Sequence, residues 1–275
     1  MSEPRSLNDE QQGTHNILLV GDTGSGKTTQ ILTLPGKVWV YAFDPNSFTT
    51  LRLYKDERTD TLDGEEWLPD GLELDATLKG FNKGHKPDDR PASIIEPRTY
   101  VDWLTSFTER AQGDFFDDYD WVVFDSITFL QRAIFDRNAW LNNRYGKIEE
   151  LGDYRIVGSK ISDLFRSISS EPKNILVTGH IDVWQDELSK KVTTQLSLAG
   201  SAKKQVPLVM TNIWLAKAAS EGEKIKHVIQ TRPEGRGLQS IRTCLPYLKQ
   251  EEDVTIHNFK SPEKYGIGHL LNGKG

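Results

Sequence analysis

Nine consecutive residues near the amino end of the chain have the spacing of a phosphate-binding loop. Residues 21–29 read GDTGSGKTT and fit the pattern G-x-x-x-x-G-K-[ST]. The glycines allow the backbone to wind around phosphate oxygens, so that successive N–H groups and the start of the next helix face the anion. The lysine is placed to reach the outer phosphates, and the hydroxyl after it to ligate a magnesium ion that bridges them. The predicted nucleotide-binding residues are Gly21, Asp22, Thr23, Gly24, Ser25, Gly26, Lys27, Thr28 and Thr29.

A carboxylate suited to the same magnesium ion follows an apolar run later in the chain. The stretch DWVVFDSIT contains four apolar residues, 121–124, directly before Asp125. A short apolar run is typical of a buried strand, and the carboxyl ends of such strands form the ligand side of a parallel sheet. We therefore expect Thr28 and Asp125 to hold the metal.

The nucleotide base is marked less clearly than the phosphates. Guanine-binding proteins use an N-K-x-D stretch, whereas residues 82–85 read NKGH and lack the final Asp. A second guanine-like stretch, GSAK at residues 200–203, stands alone and reads as the start of a helix. The expected ligands are therefore ATP and Mg²⁺.

Apolar runs and helical periodicities alternate along the chain and predict an α/β fold. Strands are predicted at residues 17–20, 38–43, 121–124 and 175–178, and helices at 27–34, 100–107, 127–141 and 161–168. Alternation of this kind implies right-handed crossovers and a mostly parallel sheet with helices on both faces. Short strands at residues 213–216, 225–231 and 240–244 predict antiparallel hairpins at the sheet's edge.

The composition excludes several classes of protein. The chain has 275 residues, 36% of them hydrophobic and 27% charged, and its net charge of -6 excludes a uniformly basic nucleic-acid coat. A single cysteine, Cys244, excludes an internal disulfide, and no Cys/His spacing suits zinc. No stretch approaches the roughly 18 apolar residues that span a bilayer, and we expect a cytoplasmic protein without a membrane partner.

We divide the chain into a flexible arm at residues 1–14, one domain at residues 15–260 and a tail at residues 261–275. Within the domain, residues 52–98 hold twelve acidic and eight basic residues and many turn formers, which predicts a polar surface insertion. Residues 184–242 hold five acidic and ten basic residues, a local balance of +5. This stretch is either an ordinary solvated hairpin or a basic binding face.

The order of these features resembles that of the RecA-like ATPases. A phosphate loop, an Asp ending a later strand, a helix and then a strand closing in a polar residue (ILVTGH, ending at His180) carry the resemblance. The chain looks still more like the fourth Sak group of phage recombination ATPases, which keep only the RecA core. The resemblance covers residues 15–260, and only the phosphate loop is specific.

This resemblance implies a RecA-like core that binds ATP and Mg²⁺ and forms a homo-oligomer with the nucleotide between subunits. It implies a role in annealing single-stranded DNA during phage recombination in a bacterial host, beside an annealing or single-strand-binding protein. It also assigns His180 as the polar sensor at the end of its strand.

One position departs from the family's pattern. Where the family shows a D-T-E-like turn whose Glu polarises the attacking water, this chain reads Asp44-Pro45-Asn46. Asn46 stands at the Glu position, and a neutral amide orients water but cannot accept its proton. Either Asp44 serves as the base or hydrolysis is slow, although Asp44 also suits a simple turn before proline.

Two basic stretches are the candidates for DNA contact. Residues 182–207 are long for a connection, and the equivalent loop in RecA-like proteins lines the DNA path. RYGKIEELGDYR, at residues 144–155, is the other, and Tyr145 and Trp184 are the aromatic candidates for stacking. The predicted DNA-binding residues are Arg144, Lys147, Lys190, Lys191, Lys203 and Lys204. Arg242, with Lys224, Lys226 and Arg236, is the candidate for a cation donated to a neighbouring subunit's ATP.

Two other functions use the same loop. A phosphotransferase would move the γ-phosphate of ATP to a small acceptor, although no arginine-rich lid is evident in the sequence. A nucleotide-dependent interaction module would bind ATP and hydrolyse it only incidentally.

Overall fold

One mixed β-sheet organises the molecule. The computed structural model describes residues 14–54, 58, 61–68, 96–144, 149–185, 192–222, 224–234, 238 and 240–273. The strands are β1 Asn16–Gly21, β2 Val38–Ala42, β3 Leu62–Glu66, β4 Trp121–Asp125, β5 Asn174–Gln185, β6 Val192–Leu196, β7 Asn212–Glu221, β8 Lys224–Gln230 and β9 Glu251–Asp253. Their order across the sheet is β3-β2-β4-β5-β1-β7-β8-β9, and β6 pairs with the distal half of β5.

The sheet is parallel in its centre and antiparallel at one side. Strands β3, β2, β4, β5, β1 and β7 run in one direction. Strands β8 and β9 return antiparallel beside β7, and β6 returns antiparallel beside β5. The predicted α/β class and the predicted antiparallel strands near the carboxyl end are therefore confirmed.

Helices cover both faces of the sheet. They are α1 Lys27–Ile31, α2 Ser47–Arg52, α3 Thr99–Gln112, α4 Ile127–Leu141, α5 Leu151–Ile168, α6 Ala202–Val209 and α7 Gly266–Leu271, with 3-10 turns at Phe115–Asp118 and Pro262–Lys264. Leu18 of β1 packs in the core beneath α3 to α6, whereas the adjacent Leu19 packs with α1 and α7. Because successive side chains of a strand point to opposite faces, the unbroken apolar run of β1 serves two cores.

Two predicted domain boundaries are corrected by the structure. The polar stretch 52–98, predicted as a surface insertion, contains β3, which pairs with β2 as the edge strand of the sheet. The predicted tail contains α7, whose Ile267 and Leu270 are buried against α1. The polar composition of β3 suits an edge strand, and α7 is too short for its periodicity to be recognised. The predicted arm lies outside the described residues except for Thr14.

Three predicted elements near the ligand side also differ from the structure. The predicted strand ending at His180 continues to Gln185, because β6 supplies partners for its distal half. Residues 182–207, predicted as a long connection, contain the end of β5, β6 and α6, with residues 186–191 outside the described part. The strand predicted at 240–244 is reduced to one bridge between Arg242 and Ile213.

In the part of the chain that the structure describes, no helix has the length and apolar character that crossing a bilayer requires.

The packing of α7 predicts that the carboxyl-terminal helix stabilises the whole domain. Ile267 is fully buried, and its backbone N–H donates to Gln30 Oε1 of α1 at 3.2 Å. Ile267→Ala should lower the free energy of unfolding by roughly 2–5 kcal/mol, because it leaves a cavity in the core. His269→Ala, on the exposed side of the same helix, should change it by less than about 0.5 kcal/mol. Urea unfolding measures both, and equal effects would contradict this role of α7.

Candidate phosphate and metal site

The predicted site residues meet at the carboxyl ends of three adjacent strands. Gly21 at the end of β1 is level with His180 of β5, and Asp125 at the end of β4 is level with Ala42 of β2. Since β5 lies between β1 and β4, the phosphate loop (residues 21–29) and the Asp125 carboxylate share one edge of the sheet.

Glycines shape the phosphate loop at three points. Gly24 and Gly26 adopt φ values of 79° and 88°, in the left-handed region that disfavours residues with a Cβ. A Cβ at Gly21 would lie 2.5 Å from the Ala216 carbonyl oxygen, so only glycine fits beside β7. Ser25 N donates to Asp22 O at 3.2 Å and closes the turn before α1 begins at Lys27.

The Lys27 ammonium lies inside the phosphate loop. Its Nζ donates to the carbonyl oxygens of Gly21 at 3.0 Å and Asp22 at 2.8 Å, and the side chain is buried. Burial lowers the pKa of Lys27, while the charges of Asp125, Asp44 and Asp22 oppose this shift. The lysine is thus fixed as a point charge among carboxylates and backbone dipoles at the mouth of the loop.

The Asp125 carboxylate is buried and accepts hydrogen bonds from three hydroxyl groups. Oδ2 accepts from Thr28 Oγ1 at 2.9 Å and from Ser47 Oγ at 2.5 Å, and Oδ1 accepts from Thr178 Oγ1. Burial raises the pKa of Asp125, while the bonds from Ser47, Thr178 and Thr28 act in the opposite direction. The three hydroxyls compensate for the loss of solvent around this carboxylate.

The oxygen ligands at this point fit a magnesium ion. Mg²⁺ is usually bound through one or two carboxylates together with substrate phosphates, and Asp125 with the adjacent Thr28 hydroxyl supplies such a set. Within the described ranges, no group of three or more His, Cys, Asp or Glu side chains forms a self-sufficient metal cage. The geometry therefore fits an ion shared with a nucleotide rather than one held by the protein alone.

The Asp44-Pro45-Asn46 turn lies at the same edge of the sheet. Phe43 N and Asp44 N both donate to the Asp125 carbonyl oxygen, which ties the end of β2 to the end of β4. Asp44 Oδ1 accepts from Asn46 N at 2.9 Å, the bond expected of a turn-forming Asp. Asp44 is half-buried and Asn46 is exposed just before α2, so the structure places both residues beside the site.

His180 lies at the level of the phosphate loop but within its strand. Its backbone N–H donates to Thr128 Oγ1 at 3.0 Å, and its ring packs edge-on against Phe129. Burial and the nearby Lys27 charge lower the pKa of His180, while Asp44, Asp125 and Asp22 oppose the shift. A half-buried, predominantly neutral imidazole so close to the loop suits a hydrogen-bonding role toward a nucleotide.

The predicted DNA-binding residues are divided by the structure. Arg144 is occupied by an ion pair with the buried Asp153 at 2.6 Å and by a second with Glu150 at 2.6 Å. This is a correction to its predicted DNA contact, because the guanidinium braces the start of α5. Lys203 is half-buried with Nζ 3.4 Å from Gln195 Oε1, and Lys204 is exposed. Lys147, Lys190 and Lys191 lie outside the described residues.

The basic balance of residues 184–242 is also partly neutralised by β9. Lys217 pairs with Glu251 at 2.9 Å, and Lys226 pairs with Asp253 at 3.1 Å. Arg242 donates to the carbonyl oxygens of Pro207 and Met210 at 2.6 and 2.5 Å. Arg242 therefore caps the end of α6, which argues against its predicted role as a cation for a neighbouring subunit; Arg236 lies outside the described residues.

Three contributors to the site were missed by reasoning from the sequence. Ser47 and Thr178 bind Asp125, and His227 of β8 approaches the Ser25 carbonyl oxygen at 3.2 Å. Thr178 was recognisable in principle, because it is a polar residue ending a buried strand next to that of Asp125. Neither Ser47 nor His227 carries any local pattern that distinguishes it.

Comparison with known proteins supports a nucleotide-binding domain. A family model described as an AAA domain (AAA_24) matches residues 14–237. Among solved structures, the flagellar accessory protein FlaH from Methanocaldococcus jannaschii is 13% identical over 89% of this chain and 88% of its own, with a TM-score of 0.43. A KaiC-like protein from Pyrococcus horikoshii OT3 is 11% identical over 91% and 89%, with a TM-score of 0.44. No curated protein sequence matches the chain.

The position of Lys27 predicts that nucleotide binding depends on its charge. Lys27→Ala should abolish ATP binding, because it removes the ammonium facing the outer phosphates while the glycines that shape the loop remain. Lys37→Ala, which removes an exposed lysine after α1, is the matched control and should bind as the wild type does. Calorimetric titration with ATP measures both, after circular dichroism has shown that each variant is folded. An unchanged affinity in folded Lys27→Ala protein would contradict the assignment of the loop.

Proposed function

The chain belongs to the AAA domain family, and from that premise we propose that it is a Mg²⁺-dependent ATPase with slow turnover. One observation carries this proposal: Lys27 Nζ is held by the loop carbonyls while Thr28 Oγ1 lies 2.9 Å from the Asp125 carboxylate. A phosphate-binding lysine and a metal-binding pair are thereby adjacent, as transfer or hydrolysis of a terminal phosphate requires. When bound, the magnesium ion neutralises charge on the phosphates.

The chain's own residues support slow rather than fast hydrolysis. A water molecule attacking the γ-phosphate needs a group that orients it and accepts its proton. Asn46, exposed at the start of α2, offers only a neutral amide, and Asp44 is engaged in the turn through Asn46 N. Asp44 remains the candidate base, because its carboxylate is close enough to influence both Lys27 and His180.

We further propose that the protein is a RecA-like phage ATPase that acts in a homo-oligomer on single-stranded DNA. The support is the arm formed by the distal half of β5 and β6, which stands at the same edge as the phosphate loop. On this arm Val183 is 64% exposed and Trp184 is 57% exposed. An exposed aromatic ring offers a surface on which bases stack without sequence preference.

Two alternatives use the same site with different outcomes. A phosphotransferase would transfer the γ-phosphate to a small acceptor, and an interaction module would bind ATP with little turnover. Asn46 in place of a carboxylate favours the module over the phosphotransferase. An ATPase assay with and without single-stranded DNA separates them: DNA-stimulated phosphate release supports the ATPase proposal, acceptor-dependent transfer supports the second function, and binding without turnover supports the third.

The turn at Asn46 predicts that hydrolysis is limited by the missing base. Asn46→Glu should raise the steady-state ATPase rate, since general-base assistance is typically worth roughly 10²- to 10⁴-fold. Thr49→Glu adds the same charge to an exposed position of α2 and should leave the rate unchanged. Asp44→Ala tests the alternative base: if Asp44 already serves, its removal abolishes turnover and Asn46→Glu adds little. A rate that neither change alters would contradict the role assigned to this turn.

The arm predicts that DNA affinity depends on Trp184 and on the lysines beyond β5. Lys190→Ala with Lys191→Ala should weaken binding of all single-stranded sequences and flatten the salt dependence by about 0.7 per lost phosphate contact. Trp184→Ala should weaken binding by roughly 1–3 kcal/mol without changing the salt dependence. Lys37→Ala with Lys264→Ala removes two exposed lysines elsewhere and should have no effect. Fluorescence anisotropy with a labelled oligonucleotide measures these changes, and no binding at low salt would contradict the DNA function.

A further inference from the structure

The β7–β8 hairpin extends beyond the end of β1 and forms a wall beside the phosphate loop. Strand β1 pairs with β7 as far as Gly21 and Ala216, after which β7 continues to Glu221 and the chain returns as β8. His227 of β8 is level with Ala218, two residues past the last residue that pairs with β1. Its side chain therefore stands where β1 has already given way to the loop.

His227 contacts the loop at one peptide group. Its Nδ1 lies 3.2 Å from the Ser25 carbonyl oxygen, and a Cβ at Gly26 would lie 2.8 Å from the same nitrogen. Because a carbonyl oxygen only accepts hydrogen bonds, Nδ1 carries the proton in this contact. The absence of a side chain at Gly26 is thus what allows the ring to approach the Ser25–Gly26 peptide.

The backbone of His227 is held on its other side by the segment after β9. His227 N donates to Thr255 Oγ1 at 3.0 Å, and His227 O accepts from Val254 N at 2.9 Å. The ring is consequently presented to the loop from a strand that is fixed by pairing on one side and by these bonds on the other.

The orientation of this peptide matters for binding an anion. The Ser25–Gly26 peptide is trans, and in a planar trans peptide the C=O and N–H groups point in opposite directions. A donor that holds the Ser25 carbonyl outward therefore directs the Gly26 N–H inward, where the loop's amides cradle the α- and β-phosphates. A hydrogen bond to the carbonyl also polarises the amide and strengthens its N–H as a donor.

We propose that His227 is a positioning residue of the phosphate loop, which orients the Ser25–Gly26 peptide so that the Gly26 N–H faces the nucleotide phosphates. This inference rests on the proposed nucleotide-binding function and adds a residue from the antiparallel part of the sheet to that site. It acts through the loop backbone and makes no chemical step of its own.

The test compares four variants by calorimetric titration with ATP and with ADP. His227→Ala should weaken both nucleotides about two- to tenfold, the value of one net hydrogen bond, because both carry the phosphates that the loop cradles. His227→Asn should restore the affinity, since its amide nitrogen occupies the position of Nδ1 along the side chain. His227→Gln, whose amide nitrogen lies one bond farther out, should resemble the alanine variant. His269→Ala, at an exposed position of α7, is the control and should bind as the wild type does.

The outcomes separate this inference from the function on which it rests. Wild-type protein that binds no ATP contradicts both. Wild-type protein that binds ATP, with His227→Ala binding equally well, overturns the positioning role alone. If the alanine variant does not fold, the comparison of Asn with Gln decides, because equal affinities would show that the ring only fills space.

Discussion

The buried carboxylate of Asp125 is the group around which the candidate site is assembled. A charge removed from water is tolerated only when hydrogen bonds replace its hydration. Here the replacements come from Thr28 in α1, Ser47 in α2 and Thr178 in β5. Three elements must therefore converge at the end of β4, and the backbone bonds from Phe43 and Asp44 to the Asp125 carbonyl draw in the end of β2 as well. The phosphate loop and the turn that carries Asn46 are brought together as a consequence.

Two antiparallel extensions rise on either side of the phosphate loop. Strands β5 and β7 flank β1, and both continue past its end, one paired with β6 and the other with β8. An extension beyond the parallel core would expose unpaired backbone groups, and the returning strand satisfies them along one edge. One extension brings His227 to the loop, and the other carries the exposed Trp184. The same architectural device thus serves the nucleotide site and the proposed DNA arm.

Charge counted along the sequence overstates the basic character of residues 184–242. Strand β9 brings Glu251 and Asp253 beside Lys217 and Lys226, and Arg242 is turned inward onto the end of α6. Arginine suits such a capping position because its guanidinium donates several hydrogen bonds in one plane. The same reasoning applies to Arg144, which is held by Asp153. The number of cations available to a nucleic acid is therefore smaller than the composition indicates.

The phosphate loop, the strand that ends in Asp125 and the α/β class with its antiparallel edge were predictable from the sequence alone. Each depends on spacing or periodicity within a short contiguous segment, which local backbone geometry translates directly into structure. The partners of Asp125, the approach of His227 to Ser25 and the inward orientation of Arg144 and Arg242 were decided only by the tertiary structure. So were the edge strand β3 and the packing of α7 on α1. In these cases the decisive contacts join residues distant along the chain or leave no local pattern, because hydrogen-bond demand and core packing determine them once the sheet has formed.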